Sequence, residues 1–141
     1  MGTVAVISVI LVKAGLIQSI RNDLMAIALI SSSLLSRWSM VLSFKYFRYA
    51  RKEGRAKIFF DGTTALRMII TTVITLLVIY YFMGVSSIFL LMIIAAVTAT
   101  FNVVVSKKLG GITGDTLGAI NEVNEVVSLG LIILGAMIGI W

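Results

Sequence analysis

Five apolar runs, each near the length that crosses a bilayer, follow one another, separated by short turns and one longer basic stretch at 45–67. They cover residues 4–20, 24–44, 68–82, 88–105 and 115–141. A membrane-spanning helix needs about 20 such residues. Lipid offers no partner to backbone N–H and C=O groups, so such runs must satisfy themselves as helices. The expectation is an all-α, polytopic integral membrane protein of about five transmembrane helices, with residues 1–141 as a single membrane domain. Hydrophobic residues make up 60% of the chain, against about 45–50% in soluble domains. No polar stretch is long enough to build a soluble domain. The first run has no basic segment before it and carries Lys13 inside it, so it reads as a helix that stays in the membrane rather than a signal peptide.

The charged residues give the orientation. Lys45, Arg48, Arg51, Lys52, Arg55, Lys57 and Arg67 crowd residues 45–67 against Glu53 and Asp61 alone, and Lys107 and Lys108 open the next loop on that side. Loops rich in Lys and Arg stay inside. The N-terminus is then inside and the C-terminus outside, with the turns at 21–23 and 83–87 outside and Trp141 at the outer interface. The expected location is the cell inner (cytoplasmic) membrane, with the active face cytoplasmic. The net charge of +6 therefore reads as topology and contact with membrane lipid, not as a nucleic-acid surface.

The chain contains no Cys and no His. That excludes thiolate chemistry, imidazole metal ligands and a Ser-His-Asp triad. A metal would be a hard cation on oxygen, Mg²⁺ or Mn²⁺.

Residues 107–128 hold three of the six acids, Asp115, Glu122 and Glu125. Their steps of seven and three residues put them within about 80° of one another on a helix. Carboxylates inside a membrane helix cost free energy unless something uses them. Arg37 and Glu122 each lie about 10 Å from the inner ends of their segments, and Lys13 and Glu125 about 15 Å. Pairing by depth predicts Arg37 with Glu122 and Lys13 with Glu125. Such pairs could fix helix packing, or line a cavity that holds an anionic substrate and its metal.

Gly110, Gly111, Thr113 and Gly114 precede the last helix. Glycines let backbone approach a ligand, and a helix N-terminus favours phosphate. With Asp115 and Glu122 as metal candidates and Glu125 as a further catalytic acid, the stretch suits a phosphate with a divalent cation, and so phosphoryl or nucleotidyl-type displacement. Phe44, Tyr46, Phe47 and Tyr49 interleave the basic loop. The loop suits lipid anchoring, or a diphosphate clamp by Arg48, Arg51 and Arg55. Gly135 and Gly139 form a small-xxx-small pair suited to a homo-oligomer contact.

The run GGITGDTLGAINEVNE, residues 110–125, resembles the C-terminal signature of the cobalamin synthase family, the adenosylcobinamide-GDP ribazoletransferases. Met1-Gly2-Thr3, Ser36-Arg37-Trp38 and Tyr49-Ala50-Arg51-Lys52-Glu53-Gly54 agree with it in order. The resemblance covers essentially the whole chain. It implies a Mg²⁺-dependent membrane transferase that joins GDP-activated adenosylcobinamide to α-ribazole or its 5′-phosphate and releases GMP. It also implies metal roles for Asp115 and Glu122, and diphosphate contacts for Lys13, Arg37 and the arginines of the basic loop. The family's acidic motif D-G-x-A-D-x-x-D-G has no counterpart here, since Asp61-Gly62 is an isolated pair. The chain is therefore expected to match the family's C-terminal half, with the N-terminal half missing. A phosphotransferase of CDP-alcohol type and a non-catalytic transporter or assembly subunit are the alternative readings. The former's Asp-Gly…Ala-Arg pattern is absent.

Overall fold

A computed structural model describes residues 2–51, 54 and 56–140. The helices are α1 (Gly2–Gln18), α2 (Met25–Tyr46), α3 (Lys57–Gly62), α4 (Ala65–Met83), α5 (Ser86–Leu109) and α6 (Gly114–Met137). Four of them, α2, α4, α5 and α6, are long and apolar enough to cross a membrane, and α1 contributes a shorter apolar helix. The protein is an all-α polytopic membrane protein, and among the described residues there is no strand.

The ends of the helices depart from the apolar runs for local reasons. Thr64 caps α4, its hydroxyl accepting from the Arg67 N–H at 3.3 Å, so that helix starts before Met68. Gly110, at φ 75°, ends α5 in the left-handed conformation. Its N–H donates to the Ser106 carbonyl at 2.9 Å. The helix therefore runs through Lys107 and Lys108, whose charges suit its C-terminal dipole. Thr113, not Asp115, caps α6. Its hydroxyl accepts from the Thr116 N–H at 3.3 Å, and the Thr116 hydroxyl accepts from the Thr113 N–H at 2.8 Å.

The central helix is α2, which packs on α4, α5 and α6, while α1 packs on α6. The buried face of α2 is a stripe of serines, Ser32, Ser36, Ser39 and Ser43, with Leu35 among them, all fully buried. Small residues let helix axes approach in the membrane. Their hydroxyls return bonds to their own helix, as in Ser43 to the Ser39 carbonyl at 2.9 Å. Between helices, buried side chains make specific ties. Trp38 Nε1 donates to Thr72 Oγ1 at 2.9 Å. Asn102 Nδ2 donates to Ser43 Oγ at 2.7 Å, and Asn124 Nδ2 to Thr98 Oγ1 at 2.9 Å. In lipid, where apolar surface has no reason to prefer protein, such bonds and close packing select the arrangement. Ile79, Leu90, Ile94, Leu129 and Ile132 fill the apolar part of the core.

Candidate functional site

The long connection from α2 to α4 and the four-residue connection from α5 to α6 meet at one end of the bundle. Their backbones form a short parallel bridge between Tyr49 and Ile112. The Ala50 N–H donates to the Ile112 carbonyl at 2.9 Å, and the Ile112 N–H to the Arg48 carbonyl at 2.8 Å. Gly111 makes the contact possible. It sits at φ 154°, and a Cβ there would lie 2.6 Å from the Arg48 carbonyl oxygen. The glycines expected to approach a ligand thus have packing roles: Gly110 ends a helix and Gly111 admits the basic loop. Thr113 spends its hydroxyl on the α6 cap, and Gly114 opens the helix with free space beside it.

The bridge shapes an open cleft of about 930 Å³ beside Gly110. Lys45, Arg48, Arg51 and Lys57 line it, with Asp61 as the acid among its described lining residues. Aromatic rings build one wall. Phe60 packs edge-on to Phe44 at 5.1 Å and tilted against Tyr49 at 5.1 Å, and Phe59 stacks on Phe44 at 5.6 Å. Phe59, Phe60 and Lys57 come from α3, which the reading of apolar runs missed because six residues lie far below span length. The signal was the Ile58-Phe59-Phe60 triplet inside an otherwise basic loop. Arg55, expected in the clamp with Arg48 and Arg51, lies outside the described residues.

Deeper in the bundle, Lys13 of α1 bridges both glutamates of α6, 2.6 Å from Glu122 and 3.0 Å from Glu125. Pairing by depth therefore holds for Glu125. The pairing of Arg37 with Glu122 does not hold. Arg37 is exposed, and its Nη1 donates to the Ser33 carbonyl one turn back at 3.2 Å. Depth fixed the level of Arg37 but not its direction. The buried stripe of α2 runs through Leu35 and Ser39, and Arg37 is about 200° from Leu35, on the far side. Asn102 and Asn124 also went unremarked in the sequence, where the available signals were a lone Asn in the apolar run at 102 and the spacing of Asn124 beside Glu125.

Asp115 is exposed in the first turn of α6, where its charge suits the helix dipole. Carboxylate oxygens are the right donors for Mg²⁺, but the geometry does not gather them. Asp115 and Glu122 are about 10 Å apart along the axis, too far to ligate one ion together. The ammonium of Lys13 already sits against Glu122 and Glu125. Among the described residues, no group of three or more potential ligands could hold a metal ion.

The sequence model of the family described as cobalamin-5-phosphate synthase matches residues 1–133. The chain is 29% identical over 132 residues to the adenosylcobinamide-GDP ribazoletransferase of Clostridium tetani, covering 91% of this chain and 52% of the relative. It is 30% identical over 138 residues to that of Desulforamulus reducens, covering 98% and 55%. Against that of Caldanaerobacter subterraneus subsp. tengcongensis it is 30% identical over 129 residues, covering 90% and 52%. The chain spans about half the length of the curated relatives it matches. No solved structure matches it.

Proposed function

The chain belongs to the cobalamin-5-phosphate synthase family, and from that premise we propose that it takes part in an adenosylcobinamide-GDP ribazoletransferase reaction by gripping the diphosphate of the GDP-activated substrate. The observation that carries this reading is the Tyr49–Ile112 bridge, which draws a basic, aromatic cleft together beside the start of α6. Arg48 and Arg51 offer planar donors to phosphate oxygens, and Lys45 and Lys57 add point charge. Tyr49 and Phe60 present rings at the wall, suited to a base or other flat group.

In the proposed reaction a hydroxyl of α-ribazole, or of its 5′-phosphate, attacks the phosphorus next to cobinamide. A new P–O bond forms there, and the bond to the bridging oxygen breaks. That oxygen leaves with GMP, and the hydroxyl proton passes to a base. Glu125 is the acid we assign as base candidate, once Lys13 releases it. Mg²⁺ would supply charge neutralisation to the diphosphate, with Asp61 in the cleft wall and the exposed Asp115 at the start of α6 as the carboxylates that would meet it. By the excess of Lys and Arg, the cleft faces the cytoplasm, and the membrane is the inner membrane.

The test is GDP binding to the chain in lipid nanodiscs, by calorimetry, with GMP release from GDP-activated cobinamide as the second readout. Each arginine–phosphate bond is worth about 1.5–3 kcal/mol. Arg48→Ala with Arg51→Ala should therefore weaken GDP at least tenfold and slow GMP release in step. Equal GDP affinity in wild type and double variant would overturn the reading.

A further inference from the structure

Arg37 stands in the middle of the membrane on a face of α2 that no other described helix covers. From Met25 to Tyr46 the helix has 22 residues, about 33 Å long against a hydrocarbon core of about 30 Å. Arg37 is about 13 Å from its Tyr46 end and about 18 Å from its Met25 end. Side chains on a helix lean toward its N-terminus, and the bond from Arg37 to the Ser33 carbonyl shows this one doing so. It leans away from the nearer interface. Neither interface lies within reach of three methylenes and a guanidinium, so snorkelling to lipid phosphate is closed to it. Among the described residues no carboxylate pairs with Arg37. One carbonyl accepts one of its five N–H donors.

The surface around it is shaped. Leu29, Ile30, Ser33, Leu34 and Arg37 line an open groove of about 380 Å³ along α2. The small Ser33 leaves the gap, and apolar side chains form its walls. Charged residues at this depth pair with one another or with backbone carbonyls, or face a water-filled cavity, and the one carbonyl on Arg37 leaves most of its donors to be met from elsewhere. The relatives that the chain matches are about twice its length, so nearly half of each lies beyond the matched part.

We infer that the Ser33–Arg37 groove of α2 docks a transmembrane helix from outside this chain that carries a carboxylate at mid-membrane depth. The carboxylate takes two parallel N–H bonds from the guanidinium, and the helix backbone packs over Ser33. The groove is distinct from the basic cleft and does not depend on its ligand.

The probe is a synthetic transmembrane peptide of leucines with one central Glu, compared with the same peptide bearing a central Leu. Each is labelled and titrated by energy transfer against the full chain in lipid vesicles. Wild type should bind the Glu peptide at least tenfold more tightly than the Leu peptide, and in Arg37→Met the ratio should fall below about twofold. Arg37 is exposed, so the variant should fold, and its helical circular dichroism checks this. Equal binding of the two peptides overturns the inference. So does a Glu preference that survives Arg37→Met, because the acid would then be docking elsewhere. Self-association of wild-type chains that Arg37→Met abolishes also overturns it, by naming a second copy as the occupant.

Discussion

Lys13 and Arg37 are both cations well inside the membrane, and they have been treated differently by the fold. Lys13 has 18% of its side chain exposed and is held by two carboxylates. Arg37 is exposed and has a single carbonyl. The difference lies in azimuth rather than depth. The face of α1 that carries Lys13 is the one that packs on α6, and Glu122 and Glu125, three residues apart on α6, present their carboxylates to it together. The face of α2 that packs is the serine stripe, and Arg37 points away from it. A buried charge whose partners come from the same chain acts as a packing contact. A charge whose partner is not in the chain marks where the chain is to be met.

The strongest way to break the comparison is to remove the paired cation. Lys13→Met leaves two neighbouring carboxylates with no counter-charge. Removing one partner of a fully buried ionic group costs about 3–5 kcal/mol; these contacts are part-buried, so the cost here is about 1.5–3 kcal/mol. Because α1 packs chiefly on α6, the loss should fall on that helix. Unfolding in mixed micelles, followed by circular dichroism, should shift by that amount, and proteolysis should reach α1 first. A shift below about 1 kcal/mol would show that the ion pairs contribute little to holding α1, as for exposed pairs.

Neutralising the acids one at a time sharpens the same point. Two carboxylates face one ammonium, so one negative charge is in surplus, and taking one away also relieves repulsion. Distance favours Glu122 as the stronger partner, at 2.6 Å against 3.0 Å, while exposure favours Glu125, at 22% against 46%. Exposure decides, because a half-exposed carboxylate is free to turn away from the ammonium while a packed one is held against it. Glu125→Gln should cost about 1–3 kcal/mol and Glu122→Gln less than about 1 kcal/mol, in the same unfolding measurement. The reverse order would mean that the shorter contact dominates.

Much of this was legible in the sequence because the bilayer restricts the choices. Run length identified the spanning segments, and helical spacing put Glu122 and Glu125 on one side. Depth alone could not say which side of α2 faces its neighbours, since Arg37 is flanked by Ser36 and Trp38, both buried. The serines are visible in the sequence, but that they form the packed stripe depends on the neighbours α4, α5 and α6. The glycine loop was located correctly, but its packing role was not visible in the sequence. Nothing local in Gly110-Gly111 reveals that the second glycine lies against Arg48 and Ala50, more than sixty residues earlier in the chain. That contact is tertiary, and it makes a cleft out of two loops.

The smallest expected effect is the one that most cleanly separates the two cations. Arg37→Met should leave the stability of the isolated chain within about 0.5 kcal/mol of wild type. The reason is the reference state. Unfolding in a membrane-like medium separates helices without dissolving them, and Arg37 faces the medium before and after. Whatever it costs to keep a guanidinium there is present in both states and cancels. The same argument gives Lys13 a large effect, because its carboxylates are lost when the helices part. If Arg37→Met instead destabilised the isolated chain by more than about 1 kcal/mol in the mixed-micelle unfolding, the guanidinium would have a partner within the fold. Its place opposite Lys13 in the comparison would then be lost.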